Sequence, residues 1–271
     1  MPFKTLKYSG FFFSLFLFAA SLITLSGETS SKPVIACPAL SPNRDTTLRD
    51  IHQKAIHLPE KLTFAITWGG WSFSWISAGT ASLEIMPTDK PQVWKILSLA
   101  RCNSFFQSFY PVRDTIYSLI QKDGFYPLRF EKRLHEDSYH KTITAIYNQE
   151  NHSLWTQDTC QSIEPFTHDI LSAFYFIRTQ TLEVGHSFEL DAVSGKKKYK
   201  LKVLCHRKET IEVPLGSFKT IVVEPVLVGD GLFKAKGKLT IWLTDDETHT
   251  PVKMESKIPV GSIKAELTSK H

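Results

Sequence analysis

The chain has 271 residues, 42% hydrophobic and 22% charged, with 32 Lys and Arg against 27 Asp and Glu for a net charge of +5. This apolar content supports a sizeable core and excludes a disordered chain. A positive excess this small is not the electrostatic footprint of a nucleic-acid-binding protein; the one dense cluster, Lys196-Lys197-Lys198 with Lys200 and Lys202, reads as a solvated turn rather than an anionic-lipid contact.

Residues 1–26 read as a secretory leader: Lys4 and Lys7, then an apolar run from Phe11 to Leu25, then the small residues Ser26 and Gly27. The run is roughly 15 residues where about 20 span a bilayer comfortably, so cleavage is favoured over a retained anchor. Cleavage removes two lysines and no acids, taking +5 to +3 (5 − 2). Residues 27–61, rich in Ser, Thr, Pro and Asn, form an extended lead-in, with a short helical turn after Asp50 that Pro59 stops. Within it Cys37 follows Val34-Ile35-Ala36, as in a bacterial lipid-attachment box. The polar, proline-broken stretch Gly27 to Pro33 separates that box from the apolar run, so an unmodified Cys is favoured over a lipid anchor.

Residues 62–271 read as one β-rich domain. Phe64, Ile66 and Trp68 alternate with Thr63, Ala65 and Thr67, the pattern of a half-buried strand. Gly69-Gly70 breaks it, and Trp71, Phe73 and Trp75 then share one face opposite Ser72 and Ser74. Ala78-Gly79-Thr80 marks a bend or a close backbone approach. Further strands are expected at Ala81–Ile85, Val93–Ala100, Thr115–Ile120, around Leu128–Arg133, Thr142–Tyr147 and Ser153–Thr156, with a helical or looped piece at Asn103–Tyr110. Asp169–Thr179 is the one clear helix, with Ile170, Ala173, Phe174 and Ile177 on one face. Strands resume at Ser187–Ala192, Tyr199–Arg207, Thr210–Val213, Phe218–Val228, Lys234–Thr244, Val252–Ser256 and Ser262–Leu267. Short strands with evenly spaced turns indicate a sandwich or barrel.

The four cysteines, Cys37, Cys102, Cys160 and Cys205, would meet an oxidising compartment and allow three pairings. Cys205 follows Leu201 and Val203 at period two and is expected to point inward. Asp245-Asp246 could serve acid–base or Ca²⁺ chemistry, but adjacent carboxylates after a strand are more commonly turn residues. His135 and His140 are five apart and would face opposite sides of one strand, as would any such pair, so no metal set emerges. Ser194-Gly-Lys-Lys197 has the Ser-x-x-Lys form but reads as a hairpin turn in a solvated lysine run. No phosphate loop or dinucleotide glycine pattern occurs, and no cofactor is expected.

Several segments carry a family resemblance: Asp169-Ile-Leu-Ser-Ala-Phe-Tyr-Phe-Ile-Arg178, the run Lys208 to Ile221, and Lys238-Leu-Thr-Ile-Trp-Leu-Thr-Asp-Asp246 with Pro251-Val252. Trp75-Ile-Ser-Ala-Gly79 and Phe109-Tyr-Pro-Val-Arg-Asp114 agree with it. On these residues the chain resembles the bacterial exported family known as domain of unknown function 3108. The resemblance implies a β-barrel of the cell envelope, some members being open on one side, and brings no catalytic residue.

The expected fold is therefore all-β and mainly antiparallel, a closed or partly open barrel with the helix near 169–179 packed on or inside it. The expected function is non-enzymatic: binding or carrying a hydrophobic or acylated envelope component, in the periplasm or outer envelope. Candidate cavity-lining residues are Trp71, Phe73, Trp75, Phe174 and Trp242, since barrel mouths host apolar ligands. Arg113 with Asp114, and Asp169 with Arg178, are expected as charge pairs fixing loops and helix; with Asp245 and Asp246 they complete the polar candidates. The alternatives are an assembly factor that holds envelope proteins and a hydrolase with an unrecognised site.

Overall fold

The computed structural model describes residues 51, 55–70, 73–108, 110–157, 159–228, 238–257 and 261–271, and only the backbone of Phe73. The expected leader, Cys37 and most of the lead-in lie outside the described residues.

Among the described residues the chain forms fourteen strands in two meanders. The first runs β1 (Glu60–Gly70), β2 (Phe73–Pro87), β3 (Val93–Cys102), β4 (Arg113–Gln121), β5 (Tyr126–Glu136), β6 (Tyr139–Asn148), β7 (Ser153–Thr156) and β8 (Cys160–Ser162), with helix α1 (Ser104–Gln107) between β3 and β4. Helix α2 (Ile170–Arg178) follows. The second meander is β9 (Ser187–Ser194), β10 (Lys197–Val213), β11 (Gly216–Val228), β12 (Leu239–Thr244), β13 (Pro251–Lys257) and β14 (Ser262–Lys270). Each meander pairs its successive strands antiparallel, and β1 pairs with β14, giving one sheet in the order β8 to β1, then β14 to β9.

The sheet curls into a barrel that is not closed by a ladder. Edges β8 and β9 are joined through the segment before α2: the His168 amide donates to Asp191 O at 2.8 Å and the Val193 amide to His168 O at 2.9 Å. Cys160 is disulfide-bonded, whereas Cys102 and Cys205 are free thiols; Cys205 is buried in the core, as its period-two position requires.

Alternation decides which side chains are inside. Leu62, Phe64 and Ile66 of β1, Leu83 and Ile85 of β2, and Trp94 and Ile96 of β3 face a common core with Ile241, Met254 and Ala265. Each large side chain buried there contributes about 1.5–3 kcal/mol. Two strands run further than the alternation alone indicates. Strand β2 continues through Ala78–Thr80, where a Cβ on Gly79 would lie 2.1 Å from Arg101 O; the glycine permits this close approach beside a bulge at Ala78. Strand β10 is one 17-residue strand, not two, with a register shift between Cys205 and Arg207.

Antiparallel order fixes two ends. Gly70, Phe73, Cys102, Arg113, Glu136 and Ser194 lie at one, the rim end. Glu60, Pro87, Gln121, Asn148, Thr244 and Lys270 lie at the other, the plug end.

Candidate functional site

Helix α2 occupies the interior toward the plug end. A helix that is apolar all round must be buried all round, and Leu171 through Arg178 are buried without a break. Asp169 caps it: Oδ1 accepts the amides of Leu171 (2.8 Å) and Ser172 (3.0 Å), satisfying two orphan donors of the first turn. Its Oδ2 accepts from Ser118 Oγ of β4 at 2.6 Å, which pins the helix start to the barrel wall. Complete burial pushes the Asp169 carboxyl up to about 6, against these hydrogen bonds, which favour the charged form. The His168 ring sits 4.8 Å from that of Phe176, with Nδ1 3.1 Å from Ser172 Oγ.

At the helix end, Arg178 is fully buried and holds Glu60 of β1 in a two-pronged pair, NH1 to Oε1 at 2.7 Å and NH2 to Oε2 at 2.9 Å. Its remaining donors reach Thr248 O, and its guanidinium lies 5.0 Å from the centre of the Tyr175 ring. The Thr248 carbonyl is placed by the β12–β13 turn, where Asp246 Oδ1 accepts from the Thr248 amide (2.8 Å) and from Thr244 Oγ1 (2.9 Å). The segment Trp242 to Asp246 thus builds the turn that receives Arg178.

The rim end holds a different group. Inward positions of β4 and β5 carry Asp114, Lys132 and Glu136, only 4%, 8% and 1% exposed. Tyr110, in the connection after α1, places its phenol beside Glu136. Burial first, then the neighbouring Asp114 charge, hold Glu136 up at about 8. Burial also raises Asp114, although the His135 amide donates to it at 3.1 Å, and lowers Lys132 despite the two carboxyls. Held at about 8, Glu136 keeps its proton at neutral pH. Perturbed titration of this kind is common in acid–base sites; burial of all three groups keeps bulk substrate from them.

The sequence-derived candidates separate. Trp71 lies outside the described residues, as does the side chain of Phe73. Phe174 is buried in the core on α2. Trp75 does not line the interior: it is 40% exposed, with Lys264 Nζ 3.4 Å from its ring centre. The cause is a bulge, since β1 pairs Ile66 with Gly79 but Thr67 with Ser77, and the extra residue reverses which side Trp75 takes. Trp242 pairs with Lys253 on the face opposite Ile241 and Met254, and its Nε1 donates to Glu209 at 2.6 Å. Asp169 and Arg178 do not pair with each other but serve opposite ends of α2. Arg113 is exposed and lies opposite Arg101, while Asp114 points inward, so those two do not pair either. Asp245 binds Lys208 at 2.8 Å, and Asp246 is the turn residue described above. His135 and His140 belong to two strands, not one, and face each other across the β5–β6 hairpin with ring centres 5.1 Å apart. Among the described residues no group of three or more His, Cys, Asp and Glu is arranged to hold a metal ion.

Sequence reasoning missed Glu60, Lys132, Glu136 and Tyr110. A signal existed for the strand residues: Asp114 shares parity with Ile116 and Ile120, and Lys132 and Glu136 share it with Phe130 and Leu134.

The profile of the family described as "Protein of unknown function (DUF3108)" matches residues 63–268. Among solved structures the chain is similar to a β-barrel-like protein of domain of unknown function DUF1849 from Brucella abortus. The TM-score is 0.58 and the identity 11%, over 83% of this chain and 99% of that one. Weaker likenesses are to hypothetical protein CT021 from Chlamydia trachomatis, with TM-score 0.36, 7% identity and coverage of 80% and 89%. Another is to a "putative exported protein with YmcC-like fold" from Bacteroides fragilis, with TM-score 0.29, 12% identity and coverage of 78% and 95%. The first likeness shows the fold alone, and none of the curated proteins matches the chain.

Proposed function

We propose, for a chain that belongs to the DUF3108 family, a non-enzymatic role in the bacterial cell envelope: binding or carrying a hydrophobic or acylated component. The observation that carries this reading is the apolar rim. Phe105 is 65% exposed and Ile76 37% exposed, and Phe105, Phe106 and Trp68 form a chain of edge-on ring contacts at 5.3 and 6.5 Å. Exposed aromatics grouped at one end of a barrel suit an apolar ligand. With α2 filling the plug end, such a ligand is held at the rim. Residues 1–26, read as a leader, support a location in the periplasm or outer envelope.

The test is native mass spectrometry of the protein purified from its own envelope, before and after gentle solvent extraction. A discrete extra mass that extraction removes, identified as lipid or an acylated molecule, is the expected result. A bare polypeptide mass in both samples, with no displacement of a fluorescent fatty-acid probe, refutes the reading. A second reading, an assembly factor for envelope proteins, is favoured by the exposed cross-strand pair Ile146 and Trp155 beside edge strand β8. It predicts one specific co-purifying protein.

A further inference from the structure

The two ends of the barrel differ in charge. The plug end mixes charges: exposed Asp89 stands beside exposed Lys90, Asp245 is paired with Lys208, and Lys61, Lys219 and Lys270 are exposed there too. The rim end is basic. On the outer face of β3 to β6, four exposed side chains stand in one cross-strand row: Arg101, Arg113, His135 and His140. Arg101 pairs with Arg113 and His135 with His140. The register that pairs Thr115 with Arg133 and Val112 with Glu136 sets Arg113 opposite His135.

Few acids oppose this row. Of the carboxylates on β4, β5 and the turn after β5 at this end, Asp114, Glu131 and Glu136 are buried and only Asp137 is exposed, among the described residues. Glu131 is already taken by Arg129 and Arg133. Across the barrel, the β9–β10 turn adds exposed Lys196, Lys197 and Lys198 at the same end. Between Arg101 and Arg113 in sequence stands α1, which presents Phe105 to solvent.

We propose that the rim end is a docking surface for an anionic lipid bilayer. The arginines meet phosphate headgroups, for which the planar guanidinium is suited, and Phe105 with Ile76 enters the interfacial layer, where aromatic residues sit favourably. Basic residues near an anionic leaflet each contribute about 1 kcal/mol. The basic row, the lysines of the β9–β10 turn and Phe105 all lie at the rim end, so the barrel binds end-on with its rim against the membrane. The surface goes beyond the cargo reading and does not depend on it.

The test is co-sedimentation of the exported protein, stripped of bound lipid, with vesicles of phosphatidylglycerol and phosphatidylcholine and with vesicles of phosphatidylcholine alone. Binding is expected to the first and not the second, and to be lost in high salt, which screens surface charges. The Arg101→Ser, Arg113→Ser double variant should partition about twenty-five-fold less, about five-fold for each arginine, and Phe105→Ser should bind more weakly than wild type. These side chains are exposed, and circular dichroism checks that each variant is folded. The salt dependence of the wild type needs no variant. Equal binding to both vesicle types, no binding to either, or an unaltered double variant overturns the proposal. Vesicle binding without a cargo mass, or a cargo mass without vesicle binding, shows which of the two readings fails.

Discussion

Replacing Glu60 by Leu should destabilise the domain more than any comparable change at a surface ion pair. Arg178 is 0% exposed and Glu60 3%, and the two share hydrogen bonds of 2.7 and 2.9 Å. Without the carboxylate, the guanidinium keeps, among the described residues, only carbonyl acceptors, Thr248 O at 3.2 Å and Ala55 O at 3.4 Å. Breaking a buried pair from one side costs about 3–5 kcal/mol, because a charge is left uncompensated. For a domain of about 200 residues each kcal/mol moves Tm by about 2–4 °C, so the midpoint should fall by roughly 6–20 °C. Scanning calorimetry and urea denaturation measure it. The double variant Glu60→Leu with Arg178→Met removes both charges and should regain most of the loss. A single variant that loses less than about 1 kcal/mol, or a double variant no more stable than the single, refutes the assignment of this pair as the anchor of α2.

Glu136 predicts a pH dependence with a definite sign. Its carboxyl, held at about 8, keeps a proton in the folded state that the unfolded chain loses near 4.5. The stability it contributes is present below about 4.5 and lost as pH rises through about 8, so the urea midpoint should fall across that window. Raised Asp114 acts in the same sense. Glu136→Gln should flatten that part of the profile, and parallel profiles for the two proteins would refute the coupling. Asp169→Ala removes a helix cap and leaves Ser118 Oγ without its acceptor, for an expected cost of about 1–3 kcal/mol. Asp169→Asn keeps an acceptor oxygen and should lose less; equal losses by denaturation would mean that the cap and the Ser118 bond do not hold the helix.

Much of the barrel was legible because its core is periodic. Leu62 to Trp68 alternate cleanly, and Cys205 takes the inward side that Leu201 and Val203 predict. Helix α2 was legible from Asp169 and its apolar run, although only the tertiary structure says that it lies inside. Trp75 was grouped with the cavity lining because the sequence does not reveal the bulge opposite Ile66 and Thr67, where a single added residue turns it outward. The His135–His140 pair was misread because a tight turn after Glu136 divides it between two strands. The groups that matter most to the interior join distant positions: Glu60 and Arg178 are 118 residues apart. A local pattern cannot encode such a pair, but polar residues at inward positions of β4 and β5 announce that something must compensate them.

The pairing of β1 with β14 has a consequence for how the protein is made. Thr268 reaches Thr63 across 205 positions of sequence, and among the described residues this junction alone ladders the two meanders together. The last strand of the domain is therefore central in the sheet, and a chain cut before it would hold two half-sheets instead of one shortened barrel. During synthesis, β1 and β13 remain open edges until β14 arrives, and contacts this far apart form slowly. The nascent chain must therefore be shielded from edge-to-edge aggregation until its final nine-residue strand is delivered.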